Sequence, residues 1–218
     1  MMNQNRQAWS AETDSAVVWL KGWCEQHGLG WHDAAHERFC LFVEKLLHCQ
    51  QQTNLTGFST PKVMVESLFV DSLQILRVFT PNGTMMDVGT GAGFPAIPIK
   101  ILRPELPMIL VEPRTKRYAF LRLVERELGL HGLTICKSRI ESVDVPSDLG
   151  LAISKAFAPL PEWLTYAQPW AQKGARVACL VSKPDWDAAA SDMHRLGFET
   201  VGCLEEQTRV YAVLHIKE

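Results

Sequence analysis

The sequence has few of the cysteine and histidine arrangements that hold a metal ion. Its six cysteines are scattered, with no C-x-x-C pair, at positions 24, 40, 49, 136, 179 and 203. Among its seven histidines, His32 and His36 are one helical turn apart, but no third ligand accompanies them in the sequence. We therefore expect no metal site, and we expect reduced, mostly buried thiols instead of disulfides.

Three further absences limit the class of protein. No segment approaches the roughly 20 consecutive apolar residues of a membrane helix, and residues 1–6 lack the apolar region of a secretory signal peptide. The 22 basic and 24 acidic side chains leave a net charge of −2, which excludes a broadly basic nucleic-acid binder. We expect a cytoplasmic protein with no membrane partner, with a monomer favoured. Its 218 residues suit one domain, or one domain with a small appendage.

Residues 12–79 carry a helical pattern. Apolar side chains recur at helical spacing at positions 35, 39, 42, 43, 46 and 47. Asp33 is a candidate N-cap, turn-forming residues follow at 54–61, and a further helix is predicted over 63–78. Four of the seven tryptophans lie within the first 31 residues, and we expect them to pack these helices onto the main body. Residues 1–79 are therefore predicted to form a helical extension, and residues 80–218 the main domain.

From Thr84 onward, short apolar runs alternate with helical stretches. The runs predict buried parallel strands at 85–88, 108–111, 133–136, 151–153 and 177–181. The stretches predict helices at 95–103, 114–129, 160–171 and 185–196. The connection between 199–205 and 209–216 is too short for a crossover helix, so these strands form a hairpin with an antiparallel strand. The pattern is typical of an α/β fold with a mostly parallel, Rossmann-like sheet.

A glycine-rich loop follows the first predicted strand and precedes a helix. It reads Asp87-Val-Gly89-Thr-Gly91-Ala-Gly93-Phe94. The dinucleotide fingerprint G-x-G-x-x-G would need glycine where Phe94 stands, and the Gly-Lys-Ser/Thr of a phosphate-binding loop is absent. Asp87 disfavours a pyrophosphate and favours a cationic ligand. The loop resembles the first motif of the S-adenosylmethionine-dependent methyltransferases, whose cofactor carries a sulfonium and an ammonium.

Glu112 ends the next predicted strand. A carboxylate at such a strand end can accept hydrogen bonds from both hydroxyls of a nucleotide ribose. We therefore predict that Glu112 belongs to the same cofactor site as the glycine loop.

The residues leave the methyl acceptor open but disfavour two chemistries. Amino methylation of bases commonly uses an Asn/Asp-Pro-Pro-aromatic turn after the fourth strand, where this chain has Ser154-Lys-Ala-Phe-Ala-Pro159. Carbon methylation of pyrimidines needs a cysteine nucleophile, and the nearest cysteines, Cys136 and Cys179, lie inside apolar runs. An acceptor with its own lone pair, such as guanine N7, needs only positioning and electrostatics. No catalytic residue is therefore predicted.

Several motifs in order resemble one known family. They are Asn54-Leu-Thr, Asp71-Ser-Leu73, Gly93-Phe-Pro-Ala-Ile-Pro98, Lys116-Arg-Tyr-Ala-Phe-Leu121, Ser138-Arg-Ile-Glu141 and Ser154-Lys-Ala-Phe-Ala158. Together they resemble the bacterial small-subunit ribosomal RNA guanine-N7 methyltransferases (RsmG, also called GidB) over roughly residues 35–185. The resemblance implies a Rossmann-like methyltransferase domain behind N-terminal helices. It also implies transfer of a methyl group from S-adenosylmethionine to N7 of one guanine in 16S ribosomal RNA, free or in the 30S subunit.

The resemblance also implies roles for single residues. Gly89 and Phe94 would line the methionine and ribose end of the cofactor, Ile140 and Glu141 would flank its adenine, and Lys155 stands where the family has a binding-site arginine. Candidate RNA contacts are Asn54, Arg114, Lys116, Arg117, Arg139 and Lys183. The chain departs from the family pattern at Ser67, usually a histidine, at Lys155, and at Ser182-Lys-Pro184.

A basic segment runs through this region. Residues 100–126 hold seven basic and three acidic side chains, a local excess that the overall charge conceals. We expect this segment to contact RNA phosphates, although a solvated helix face would carry a similar pattern. Two alternatives stay open. A small-molecule methyltransferase would have an enclosed apolar pocket over the glycine loop. A non-catalytic nucleotide-binding or interaction module would bind the cofactor weakly or not at all.

Overall fold

The computed structural model describes residues 9–53, 57–58 and 60–216. Helix α1 spans Ala11–Gln26, and α2 spans Asp33–Thr53. A third helical stretch consists of α3 (Pro61–Met64), a π-helical turn (Val65–Phe69), α4 (Val70–Leu73) and α5 (Ile75–Val78). Asp33, the predicted N-cap, is instead the first residue of α2, so the helix begins one residue earlier than predicted. Ser10 caps α1, since its hydroxyl accepts a hydrogen bond from the Thr13 N–H.

The remaining elements form an α/β sheet structure, as predicted. The strands are β1 (Thr84–Val88), β2 (Met108–Val111), β3 (Leu133–Cys136), β4 (Leu149–Ser154), β5 (Arg176–Ser182), β6 (Phe198–Glu206) and β7 (Arg209–Ile216). Their order in the sheet is β3-β2-β1-β4-β5-β7-β6. The first five are parallel, and β7 runs antiparallel to both of its neighbours, β5 and β6. The hairpin predicted from its short connection is confirmed.

Helices cover both faces of this sheet. They are α6 (Ala96–Leu102), α7 (Thr115–Glu127), α8 (Leu160–Ala171), α9 (Lys183–Ala188) and α10 (Ala190–Arg195). The helix predicted at 185–196 is two short helices that meet at Ala189 and begin two residues earlier. The earlier start has a local cause, because the Ser182 hydroxyl caps α9 and Pro184 occupies its first turn.

The N-terminal helices share one apolar core with the sheet. Phe42 of α2 and Phe69 of the π-helical turn both contact Phe94 after the glycine loop, with ring centroids 5.5 and 5.4 Å away. Trp9, Trp23 and Trp31 pack against this core, whereas Trp19 is 45% exposed, contrary to the packing expected of it. In this core α2 packs on α6 and α7, and α5 packs on β6 and β7. The division of the chain at residue 79 stays a prediction.

The structure also shows the state of the cysteines and the hydrophobicity of the helices. The cysteines are free thiols, but only Cys24, Cys40 and Cys179 are fully buried, and Cys203 is exposed. Among the described helices, none is both long enough and apolar enough to cross a membrane.

Candidate active site

The carboxyl ends of β1, β2 and β4 meet at one edge of the sheet. The chain leaves β1 toward β2 on one side and β4 lies on the other, so this edge is the topological switch point where α/β folds bind ligands. A cavity of about 540 Å³ opens there. It is lined by Val88, Gly89, Val111, Glu112, Pro113, Arg114, Arg117, Arg139, Ile140, Glu141, Ala156, Phe157 and Tyr166.

The glycine loop forms part of the wall of this cavity through Gly89. Gly89 has φ +69° and Gly93 has φ +94°, a backbone region that favours glycine. A Cβ atom at Gly89 would lie 2.8 Å from Cδ2 of Phe157, and one at Gly93 would lie 2.4 Å from Cγ1 of Ile97. These two glycines therefore allow the loop to approach Phe157, in the segment after β4, and Ile97 of α6 more closely than any other residue would.

Asp87 lies behind the loop and is almost completely buried. Its Oδ2 accepts hydrogen bonds from the Thr90 hydroxyl at 2.6 Å and from the Ala96 N–H at 3.2 Å. Its Oδ1 is buried without a hydrogen-bond partner among the described residues. Burial raises the pKa of this carboxyl to about 7, against the opposing effect of the Thr90 hydrogen bond. An under-compensated buried carboxylate beside an open loop fits a cationic ligand such as S-adenosylmethionine.

Glu112 connects the end of β2 to the glycine loop. Its Oε2 accepts from the Gly91 N–H at 3.1 Å, and its Oε1 accepts from the Arg114 N–H at 2.8 Å. Arg117 lies 3.8 Å from the same carboxylate. Because each carboxylate oxygen has two lone pairs, both oxygens keep capacity for the hydroxyls of a ribose. The carboxylate lines the cavity, so its location fits the predicted role.

The structure brings seven of the predicted site residues into the cavity lining: Gly89, Glu112, Arg114, Arg117, Arg139, Ile140 and Glu141. Asp87, Gly91 and Gly93 lie in or behind the loop. The side chain of Phe94 packs into the core against Phe42 and Phe69 instead of lining the cavity. Asn54 falls outside the described residues.

Lys155 and Lys183 also lie outside this cavity lining. Lys155 forms an ion pair with Asp71 at 2.5 Å and lies 5.8 Å from the centre of the Phe94 ring. Lys183, the first residue of α9, contacts Asp187 at 3.1 Å and Glu205 at 3.0 Å. These two acidic partners offset the positive charge of Lys183, for which an RNA contact was predicted.

Six of the thirteen lining residues were not among the predicted site residues, and two of these six, Phe157 and Tyr166, contact predicted ones. Phe157 contacts Gly89, and the Tyr166 hydroxyl of α8 donates to Oε1 of Glu141 at 3.3 Å. Phe157 could have been predicted from the sequence, because it follows the carboxyl end of β4. Tyr166 could not, since it lies on the amphipathic helix α8, whose rotation relative to the sheet depends on packing.

One cluster away from this edge contains metal-ligand types of side chain. In α1 and α2, Asp14, His36 and Cys40 place three such atoms within 4.8 Å of one another. The contacts are those of a hydrogen-bonded group, since Asp14 Oδ1 lies 3.0 Å from His36 Nε2 and accepts from the Trp9 indole at 3.1 Å. The hydrogen bond with His36 holds the pKa of Asp14 below its usual value. His32, one turn earlier, contacts the Ile101 carbonyl instead.

The fold and this edge together define a class. A parallel sheet with an antiparallel β7 between β5 and β6, an acidic glycine loop after β1 and a carboxylate after β2 are those of the Rossmann-like S-adenosylmethionine-dependent methyltransferases. In agreement, the ribosomal protein L11 methylase of Lactobacillus delbrueckii subsp. bulgaricus shares the fold, with a TM-score of 0.54, 16% identity, and 68% of this chain and 77% of that one covered.

Sequence comparison narrows the class to a family. The family described as GidB, rRNA small subunit methyltransferase G, matches residues 35–204. The Ribosomal RNA small subunit methyltransferase G of Myxococcus xanthus is 35% identical over 67% of this chain and 69% of the relative. The enzyme of the same name from Geobacter sp. strain M21 is 28% identical over 88% of this chain and 89% of the relative. The chain belongs to this family of S-adenosylmethionine-dependent ribosomal RNA methyltransferases.

Proposed function

We propose that this enzyme transfers a methyl group from S-adenosylmethionine to N7 of a guanine in 16S ribosomal RNA. The observation that carries the proposal is the lining of the cavity, which combines Gly89 of the glycine loop and Glu112 with the exposed side chains of Arg114 and Arg139. A cofactor site that opens directly beside basic side chains suits a polyanionic acceptor.

The cofactor residues follow from the geometry of the loop. Glu112 would accept hydrogen bonds from the ribose hydroxyls, and the Gly89 backbone would lie against the methionine end, where no Cβ atom fits beside Phe157. Ile140 and Glu141, on the next wall of the cavity, would flank the adenine. Asp87 would favour the cationic groups through its negative charge. The bound cofactor supplies an activated methyl group on sulfur.

The RNA contacts are supported by an unfavourable feature of α7. Arg114 precedes this helix, Lys116 and Arg117 lie in its first turn, and that turn has no acidic residue. Cations at a helix N-terminus oppose the helix dipole and cost stability. An RNA phosphate would relieve this repulsion, because helix N-termini and cations both attract anions. Arg139 lines the same cavity and extends the basic edge.

The chemistry asks little of the protein beyond positioning. The lone pair of guanine N7 forms the bond to the methyl carbon while the methyl–sulfur bond breaks and its electron pair stays on sulfur. Because N7 carries no proton, no general base is needed, and the base gains the positive charge that sulfur loses. Carbon methylation is disfavoured, since burial raises the pKa of every cysteine thiol, including Cys136 at the end of β3.

The cavity favours RNA over a small molecule. A small-molecule methyltransferase would enclose its acceptor in an apolar pocket over the glycine loop. Here the lining includes three arginines and two glutamates, and Arg114, Arg139 and Glu141 are exposed. We infer that the partner is 16S ribosomal RNA, free or in the 30S subunit, that the enzyme acts as a monomer, and that it works in the cytoplasm.

The test uses 30S subunits and 16S ribosomal RNA from a strain that lacks N7-methylguanine. Purified protein and labelled S-adenosylmethionine are added, and strand cleavage at N7-methylguanine locates the product. We expect one labelled guanine. Cofactor binding without any label in ribosomal RNA would contradict the proposal.

A further inference from the structure

A second cavity, of about 440 Å³, lies on the other side of the segment that follows β4. Its walls come from the π-helical turn and α4 on one side and from β7 on the other. The residues that carry its chemistry are Ser67, Asp71, Lys155, Arg209 and Tyr211. None of these side chains has a role in the proposed methyl transfer.

The cavity has a charged centre that is largely shielded from water. The Asp71 and Lys155 side chains are 12% and 15% exposed, and Lys155 Nζ lies 2.5 Å from Asp71 Oδ2. Asp71 also accepts hydrogen bonds from the Tyr211 hydroxyl at 2.7 Å and from Arg209 at 3.3 Å. Burial of the Tyr211 hydroxyl raises its pKa, so it remains a hydrogen-bond donor at neutral pH. The Asp71 carboxylate is thereby held in one orientation.

This charged centre has unused hydrogen-bonding capacity. Lys155 Nζ is buried, and its ion pair with Asp71 uses only part of the three N–H donors of the ammonium. Arg209 Nε is also buried, and it has no hydrogen-bond partner among the described residues. Buried donors of this kind are costly unless a ligand or water completes them.

The two cavities share one wall. Lys155 faces the second cavity, whereas Ala156 and Phe157 line the first. Ala156 has φ +58°, a strained conformation for a residue other than glycine, of the kind that collects at functional sites. Lys155 is also close enough to Asp87 to stabilise its charged form. A group bound beside Lys155 would therefore lie next to the cofactor loop.

The opposite wall is irregular as well. The helical stretch that carries Ser67 and Asp71 changes from α to π geometry at Val65–Phe69 and back to α at Val70. Single π-helical turns are rare and occur frequently at functional sites, because they displace side chains from the regular helical spacing. Here the turn lies directly against the cavity.

We infer that this second cavity receives the acceptor guanine, with Lys155 donating to its O6 and Asp71 accepting from its N1–H. The inference rests on the proposed function and deepens it by naming the groups that select the base. Around the purine ring, N7 and O6 are acceptors and N1–H is a donor. With N7 toward the first cavity, O6 comes next, at the wall where Lys155 stands, and N1–H follows toward Asp71.

This arrangement distinguishes guanine from adenine. Adenine has an amino group in place of O6 and an unprotonated N1, so a donor would face Lys155 and an acceptor would face Asp71. Asp71 would also assist the reaction itself. Methylation places a positive charge on the purine, which makes N1–H a stronger donor to the carboxylate in the transition state than in the bound substrate.

The test uses three variants of the full-length enzyme: Asp71→Asn, Lys155→Met and Lys155→Arg. Lys62→Met, an exposed residue of α3, is the control. The acceptor is a splint-ligated 16S transcript with either guanine or 2-aminopurine at the mapped position, since 2-aminopurine keeps N7 but lacks O6 and N1–H. Methylation rates are measured with both transcripts. S-adenosylmethionine affinity and thermal unfolding are measured for each protein.

We expect the wild type and Lys62→Met to prefer guanine by about 30-fold or more. Asp71→Asn and Lys155→Met should lose about 10- to 100-fold in rate with guanine. Their preference for guanine should shrink to less than about fivefold, with cofactor affinity within about threefold of wild type. Lys155→Arg should recover most of the rate because it keeps the charge.

Three results would overturn the assignment while leaving the proposed function intact, provided that the wild type methylates the guanine transcript. The first is wild-type rates in both charge-removing variants. The second is an equal loss with both transcripts, which indicates a structural role only. The third is a loss of cofactor affinity in proportion to rate. A wild-type enzyme that binds cofactor but methylates neither transcript would overturn the proposed function and this assignment together.

Discussion

At the scale of single residues, the site depends on groups that cost folding stability. Asp87 is a buried carboxyl with one oxygen that has no hydrogen-bond partner in the described part of the chain, and Gly89 and Gly93 adopt a backbone conformation that other residues disfavour. Such features persist only when function or the surrounding structure requires them. They are also the residues whose substitution gives the sharpest tests.

Cofactor affinity should depend on pH through Asp87. Because burial raises its pKa to about 7, the ionised fraction in the free enzyme increases as the pH passes through neutrality. We expect S-adenosylmethionine to bind about five to ten times more tightly at about pH 7.5 than at about pH 6. Calorimetry on the wild type and on Asp87→Asn measures this effect, and an unchanged pH slope in the variant would refute it.

The raised pKa of Asp87 also makes the free energy of unfolding depend on pH, in the direction opposite to cofactor affinity. A carboxyl whose pKa is raised on folding favours the folded state when protonated, below its unfolded pKa of about 4. That contribution is lost as the pH rises from about 4 to 7, so Asp87→Asn should lessen the decline in melting temperature over this range.

Gly89 should be more sensitive to substitution than a matched glycine elsewhere. The Cβ of an alanine at Gly89 would lie 2.8 Å from Phe157, whereas that of an alanine at Gly129, with a similar φ of +59°, would have no other described residue within 4 Å. Both positions have a positive φ that strains an alanine, but only the alanine at Gly89 would also crowd Phe157 in the cofactor cavity. We expect Gly89→Ala to weaken cofactor binding by about tenfold or more, against a small change for Gly129→Ala. Equal affinities in calorimetry would mean that the loop does not form the cofactor wall.

At the scale of elements, the N-terminal helices share one apolar core with α6, α7 and the sheet. Phe42 of α2 is completely buried and contacts Phe69 and Phe94, so the aromatic group bridges the extension and the glycine loop. Because Phe94 follows Gly93 directly, packing of these helices and geometry of the loop are coupled.

Truncation of Phe42 should therefore affect both stability and the site. We expect Phe42→Ala to lower the free energy of unfolding by about 3–5 kcal/mol, since it leaves a cavity in a packed core. Val63→Ala, at a residue 46% exposed in α3, should change it by less than about 0.5 kcal/mol. Urea denaturation followed by tryptophan fluorescence and by far-ultraviolet circular dichroism checks both values. Two separate transitions would indicate that the extension unfolds independently of the sheet.

At the scale of the whole molecule, the distribution of charge matters more than its sum. The net charge is −2, yet exposed cations collect beside the cofactor cavity. The basic excess counted over residues 100–126 overstates the surface charge, because Lys100 is buried and donates to the carbonyls of Pro104 and Leu106. Arg122 is paired with Glu125 at 2.7 Å. The exposed cations that we propose as RNA contacts are therefore those at the N-terminal end of α7 together with Arg139.

Salt dependence tests this distribution. If Arg114 and Arg139 each neutralise a phosphate, their joint replacement by alanine should lower the slope of log affinity against log salt by about 1.5. Lys21→Ala, on α1 beside Glu25, should leave the slope unchanged. Filter binding of 16S ribosomal RNA across a salt series provides the measurement. An unchanged slope in the double variant would place the RNA on another face.

The sequence by itself determined the elements, the glycine loop and the class of cofactor. Those signals are local, since strand and helix periods, turn-forming glycines and an acidic residue before the loop act within a few positions of one another. Only the tertiary structure decided where β7 lies, that Phe94 faces the core, and which cations remain exposed. It also assembled the second cavity from Ser67, Asp71, Lys155, Arg209 and Tyr211. These residues are far apart in the chain, and the sheet order and packing that bring them together leave no local pattern to find.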